Sequence, residues 1–198
     1  MIGVLAVQGA FIEHRRMLEK LGEETFEIRR RADWEDHAPG SNAPMEGLVL
    51  PGGESTVMEK LLRELGLFEP LKRYIEGGGA VMGTCAGMIL LARTVISGGV
   101  TAPGCFAAMD MTVVRNAYGR QLGSFQVDAP FAQWEAVPMV FIRAPYIHST
   151  QGAEILAEVD GRPVAARQGH CLATAFHPEL TGDDRVHRYF LGQMVHPT

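Results

Sequence analysis

The first 93 residues alternate short apolar runs with amphipathic stretches, and that alternation restricts the fold more than any other feature of the chain. Ile2–Val7 is apolar without a period of two, as a strand covered on both faces must be. Phe11–Leu21 sets Phe11, Ile12, Met17, Leu18 and Leu21 along a helical face and stops at Gly22. Thr25–Arg29, Gly47–Leu50 and Ala80–Met82 read as further strands. Thr56–Leu65, Phe68–Glu76 and Ala86–Arg93 read as helices, the second closed by Gly77-Gly78-Gly79. Asp33–Met45 is polar, holds Pro39-Gly40-Ser41-Asn42, and reads as a loop with room for one helical turn. Strands and helices in this order predict an α/β fold with a mostly parallel sheet and right-handed crossovers.

After Val95 the pattern changes. Met109–Arg115, Ser124–Asp128, Val137–Ile142, Glu154–Val159, Pro163–Gln168 and Cys171–Phe176 read as strands with short connections, and Gly161-Arg162 is a hairpin signal. Asp183–Val195 reads as a closing helix. There is no repeat and no linker-like stretch. With 198 residues, 46% of them hydrophobic, one core is expected, so residues 1–198 are taken as a single domain.

The charge balance narrows the partners. Net charge is −5 and no basic stripe runs along the chain, so a nucleic-acid partner is not expected. Arg29-Arg30-Arg31 fits a solvated strand end. Three cysteines without a Cys-x-x-Cys pair are a poor disulfide framework and suit a reducing cytoplasm. No apolar run approaches the ~20 residues of a membrane span.

Two motifs carry chemistry. Gly83-Thr84-Cys85-Ala86-Gly87 has the form Gly-x-nucleophile-x-Gly, in which the glycines let a strand turn sharply into a helix and push the central side chain out. The following N–H, that of Ala86, then faces the position of an oxyanion. Far downstream, His177-Pro178-Glu179 supplies a base and an orienting carboxylate. Proline keeps the residue before it extended, and in an extended segment residues two apart share a side, which predicts that His177 and Glu179 meet. Cys85, His177 and Glu179 are thus the candidate catalytic set for acyl transfer through a thioester. Cys105 and Cys171 lack this setting, and no histidine or cysteine spacing resembles a metal site. A third element, Pro51-Gly52-Gly53-Glu54-Ser55, has no phosphate-loop lysine. Its Gly53 N–H suits the same oxyanion hole, and Glu54 suits a substrate ammonium.

Taken together, Gly83–Gly87 and His177-Pro178-Glu179 resemble the class I, triad-type glutamine amidotransferases. Gln8-Gly9-Ala10 with Glu13-His14, Pro51–Thr56, Arg115–Gln121, Phe141–Pro145 and His177–Thr181 narrow this to the family of glutaminase subunits of deoxyxylulose-independent pyridoxal 5′-phosphate synthases. The resemblance implies a flavodoxin-like three-layer sandwich. It also implies hydrolysis of L-glutamine to glutamate and ammonia, with Cys85 as nucleophile, His177 as base and Glu179 as its orienter. Gly53, Glu54, Ser55, Arg115, Ile142 and Arg143 match glutamine-contacting positions. The implied partner is a (β/α)8-barrel synthase subunit that receives the ammonia and builds pyridoxal 5′-phosphate, so that compound is a product and the chain needs no cofactor of its own. Such glutaminases gain activity on docking, and the Gln8–His14 region is the expected contact. Asp33–Pro44, Tyr118 and Tyr146-Ile147-His148 depart from the family pattern without touching the triad. A glutaminase serving another synthase, a stand-alone cysteine hydrolase, and a non-catalytic regulatory subunit on the same fold, against which the intact triad argues, are the alternatives.

Overall fold

The structure, a computed structural model, describes residues 1–115 and 123–197. Its frame is a seven-stranded sheet. Five strands are parallel: β1 (Ile2–Leu5), β2 (Thr25–Ile28), β3 (Gly47–Leu50), β4 (Ala80–Thr84) and β13 (Cys171–Thr174). β11 (Glu154–Val159) and β12 (Arg162–Gln168) extend one edge as an antiparallel hairpin. The spatial order is β11-β12-β13-β4-β3-β1-β2. The parallel part has the flavodoxin-like arrangement, with the chain reversing its direction of travel at β1 and β3.

Two faces of this sheet are covered. α3 (Ser55–Glu64), α4 (Phe68–Glu76) and α5 (Ala86–Leu91) form one layer, and α1 (Phe11–Lys20) and α6 (Arg185–Phe190) belong to the other. The glycines show the separation. A Cβ on Gly47 would meet Phe190 and Val195, whereas one on Gly87 would lie 2.1 Å from the Leu50 carbonyl oxygen. Gly47 and Leu50 are three apart on one strand and so serve opposite faces. β1, β3, β4 and β13 are buried along their whole length, which suits their largely apolar runs, whereas the edge strand β2 is buried only at Ile28.

The second half adds two smaller sheets. One has the order β10-β7-β5-β6, from β5 (Ala92–Ser97), β6 (Val100–Pro103), β7 (Met109–Val114) and β10 (Tyr146–Thr150). The other is the ribbon of β8 (Ser124–Phe131) and β9 (Trp134–Ile142). Phe131 and Phe141 of this ribbon lie with ring centroids 6.4 and 5.8 Å from Phe176, the residue before His177.

Several expectations need correction. The helix expected over Ala86–Arg93 ends at Leu91, because β-branched Thr94, Val95 and Ile96 favour the strand that begins at Ala92. β6 gave no apolar signal because all four of its residues are exposed. Asp33–Met45 holds the one helical turn for which the sequence leaves room. α2 (Arg31–Glu35) enters it, and the Asp33 carboxylate accepts the N–H groups of Arg29 and Arg30 at 2.9 and 3.1 Å. The closing helix starts at Arg185 rather than Asp183, whose carboxylate accepts the Arg185 N–H at 2.9 Å, and widens into a π turn over Leu191–Val195. Among the described residues no helix is long and apolar enough to cross a membrane.

Candidate active site

Parallel strands bring their carboxyl ends to one edge, and the chemistry-bearing residues follow those ends. Gln8 comes after β1, Gly52 and Gly53 after β3, Cys85 after β4 and His177 after β13. These four strands are consecutive in the sheet. Thr84 is paired with Thr174, so the two chemical segments leave the sheet side by side.

Cys85 occupies a strained turn. Its φ of 48° and ψ of −97° lie near the rare γ-turn region, which side-chain-bearing residues avoid. Its N–H donates to the Thr174 carbonyl at 2.7 Å and its own carbonyl accepts from Ile89 at 3.2 Å, which hold the turn in place. A Cβ on Gly83 would come within 2.7 Å of the Gly87 backbone, so the strand and helix meet more closely than any other residue allows.

His177 Nδ1 is 2.7 Å from Glu179 Oε1, and Cys85 lies close enough to the ring to act on its protonation. The ring therefore lies between thiol and carboxylate. Burial lowers the His177 pKa, but Cys85 and the bond to Glu179 outweigh it and push it up to about 10. Glu179 is lowered: burial raises it, and His14 and the His177 bond reverse the balance. An imidazolium beside a cysteine sulfur is the condition that favours a thiolate nucleophile. By contrast, burial pushes Cys105 up to about 12 and Cys171 up to about 11.

The expected meeting of His177 and Glu179 occurs, but by a different route. Pro178–Leu180 is a 3-10 turn, so Glu179 comes back under the ring through a tight turn and not by strand alternation. The His177 N–H donates to the Val140 carbonyl at 2.8 Å, which ties the base to β9. On the other side, a Cβ on Gly52 would lie 2.2 Å from His177 Cε1, so this glycine gives the ring its room.

The glycine turn is held from β1. Ala10 N–H donates to the Gly52 carbonyl at 3.0 Å, and Glu54 N–H donates to Gln8 Oε1 at 2.8 Å. Because a trans peptide opposes its C=O and N–H, the Gly53 N–H points away from Ala10. Arg115 Nη2 is 2.6 Å from Glu54 Oε1, and the Thr56 hydroxyl donates to the other oxygen. The Thr56 bond chiefly, with Arg115 near it, keeps Glu54 below the ordinary carboxylate range against the effect of its partial burial. Beside this pair opens a cavity of about 190 Å³ lined by Ser55, Thr56, Ile89 and Arg115 among others. Ser55 is buried at the start of α3, and Ala86 is buried directly after Cys85. Ile142 ends β9, and exposed Arg143 follows it with φ 46°, its N–H on the Gly123 carbonyl at 2.7 Å. Arg115, not Arg143, is the cation on Glu54. The remainder of the Arg115–Gln121 segment, with Tyr118, lies outside the described residues.

The SNO glutamine amidotransferase family profile matches residues 4–196. The chain belongs to that family. Among amidotransferase relatives, it is 59% identical to "Pyridoxal 5'-phosphate synthase subunit PdxT" of Methanocorpusculum labreanum, covering 96% of this chain and 95% of the relative. It is 49% identical to the protein of the same name from Haemophilus influenzae, covering 96% of each. A solved structure described as a glutamine amidotransferase superposes with a TM-score of 0.85 at 42% identity, covering 96% of both chains. The Thermotoga maritima PurLQS structure, at 14% identity and a TM-score of 0.67, shares the fold. The amidotransferase fold is thus the flavodoxin-like α/β sandwich described above.

Thr84 and His187 carry no role in the sequence reading, and His14 enters it only through the family motif and the Gln8–His14 docking region; all three are fully buried, with His14 beside Glu179. A signal existed. His14 shares a helical stripe with Met17, Leu18 and Leu21, and His187 one with Phe190, Leu191 and Met194.

Proposed function

We propose that this chain is the glutaminase subunit of a pyridoxal 5′-phosphate synthase, a single domain that hydrolyses L-glutamine and passes ammonia to its partner. The observation that carries this reading is the line of Cys85, His177 and Glu179, in a chain 59% identical to a subunit of that name.

Free glutamine is a zwitterion, so its site needs a carboxylate and a cation. Glu54 takes the ammonium, and Arg115 or Arg143 takes the carboxylate. Binding then opens the Glu54–Arg115 pair and sets the substrate's own charges between its partners. Ser55 and Ile142 complete the contact. The Cys85 sulfur attacks the side-chain amide carbon, and the charge that forms on oxygen is received by the N–H groups of Gly53 and Ala86. His177 gives its proton to the leaving nitrogen, and ammonia departs. The thioester is then attacked by a water whose proton goes to His177, and glutamate is released. Glu179 holds the ring in the orientation that both steps require. The partner is a synthase subunit, with a (β/α)8 barrel as the expected form, docked near Gln8–His14 at the carboxyl edge of the sheet.

The test is ammonia release from glutamine by the full chain, with and without a synthase subunit, using Cys85→Ala as control. Release that depends on Cys85 and rises with the synthase supports the reading. Cys85-dependent release indifferent to the synthase moves the partner elsewhere, and release independent of Cys85 removes the triad.

A further inference from the structure

The Glu179 carboxylate has a second oxygen that the triad does not use. Oε2 is buried and has no hydrogen-bond partner among the described residues by strict geometry, yet His14 Nε2 stands 3.4 Å from it. The same nitrogen is 3.1 Å from Thr84 Oγ1, and His14 Nδ1 is 3.0 Å from His187 Nε2. His14, Thr84 and His187 are fully buried, on α1, β4 and α6 respectively.

The tautomers follow from this geometry. One proton must lie between the two imidazoles. If His14 donated it from Nδ1, its Nε2 lone pair would face the Glu179 oxygen, and His187 would carry a buried Nδ1–H with no acceptor among the described residues. If instead His187 Nε2–H donates to His14 Nδ1, then His14 Nε2–H lies between Thr84 Oγ1 at 3.1 Å and Glu179 Oε2 at 3.4 Å, and the His187 ring is left with an unmatched Nδ1 lone pair and no unmatched donor. An unmatched lone pair costs less than an unmatched donor, so the second arrangement holds.

We propose that His14 is a positioning residue for the glutaminase reaction: held in its Nε2–H tautomer by His187, it presents a neutral donor to the second oxygen of Glu179 and so fixes the carboxylate that orients His177. This inference rests on the roles proposed above for Cys85, His177 and Glu179. Both imidazoles are neutral at physiological pH. Burial lowers His14; Glu179 opposes this, the charge on His177 adds to it, and Glu13 on its own helix opposes it. Burial, then His14, brings His187 down to about 3 against the pull of Glu179 and Asp184. A neutral donor stabilises the buried carboxylate without competing with His177 for its charge. Helix α1 thereby touches both halves of the site, through His14 on the carboxylate and, just before its first turn, through Ala10 on the Gly52 carbonyl.

The test compares His14→Phe, which removes the donor, with His14→Gln, whose amide restores one near the Nε2 position. Ammonia release by the full chain with the synthase subunit is followed across pH. His14→Phe is expected to lower kcat about tenfold to a hundredfold, the worth of one hydrogen bond to a charged group, with KM unchanged. A less firmly held Glu179 stabilises the imidazolium less, so the alkaline limb set by His177 moves to lower pH, by about one unit. His14→Gln is expected to recover most of both. Histidine-selective ¹⁵N NMR of the unmodified chain is expected to show His14 protonated at Nε2, a readout that needs no activity. A folded His14→Phe with unchanged kcat and alkaline limb overturns the proposal, as does equal impairment of the two variants or a His14 protonated at Nδ1. Loss of Cys85 dependence in the unmodified chain instead overturns the triad reading and leaves the tautomer result to stand alone.

Discussion

His187 makes stability depend on pH in a way that can be calculated. Its ring is fully buried and its pKa is brought down from 6.5 to about 3, chiefly by burial. Between those values the unfolded chain binds a proton that the folded chain does not. The contribution of this residue therefore disappears as pH falls below 6.5, and stability rises with pH across that window. For one such group the loss between pH 7 and pH 5 is about 2 kcal/mol. Carboxylates in surface ion pairs also titrate in acid, so the measurement must be a difference. His187→Gln keeps a donor near the Nε2 position that faces His14 and removes the titration. Urea unfolding at pH 7 and pH 5 can be followed by the emission of Trp34, which is buried against Tyr74. The unmodified chain should lose about 2 kcal/mol more than the variant over that interval. Equal losses in the two proteins would falsify the claim that His187 is kept neutral in the folded state.

The strain at Cys85 predicts an inverted glycine effect. At φ 48°, Cys85→Gly should be more stable than Cys85→Ala by about 1 kcal/mol, both being inactive, and a thermal melt that ranks alanine higher removes the strain argument. Gly52→Ala places a Cβ 2.2 Å from His177 Cε1. The ring must move, and kcat should fall by roughly a hundredfold or more while glutamine still protects the site from ligand-sensitive proteolysis. Arg115→Gln frees Glu54 from its ion partner at 2.6 Å. If Arg115 then also fails to meet the substrate carboxylate, steady-state kinetics should show KM raised about tenfold or more with kcat nearly kept, and a fall in kcat alone would place Arg115 outside the glutamine contact.

How much of this was legible in the sequence depends on whether the deciding interaction is local. The Cys85 turn was readable because its cause is two glycines within two residues. The Phe68–Glu76 helix and the Glu154–Val159 strand have the expected boundaries because periodicity and flanking glycine or turn signals agree there. β10 and β6 were not readable: β6 is exposed throughout, and β10 is set by pairing with β7, 32 to 39 residues earlier in the chain, with a register shift between Ile147 and Ser149. His177 and Glu179 illustrate a correct contact expected for the wrong reason, since proline at the head of a 3-10 turn delivers what strand alternation was expected to deliver.

The buried histidines mark the other limit. Each lies on an apolar helical stripe, where sequence alone reads a tolerated polar residue in a core. Their meaning arises only because α1 and α6 cover the same face of the sheet, which brings residues 173 apart in the chain to 3.0 Å. A lone buried imidazole in such a layer would be costly, but a pair can satisfy one nitrogen of each. Within this cluster the atoms left unmatched are Glu179 Oε2 and His187 Nδ1, the two ends of that arrangement. Five of the buried side chains therefore follow one another from Cys85 through His177, Glu179 and His14 to His187. A line assembled from β4, the segment after β13, α1 and α6 makes the layer packing itself a determinant of the base's orientation. Substitutions that loosen α1 against α6 should then lower kcat before they lower the affinity for glutamine.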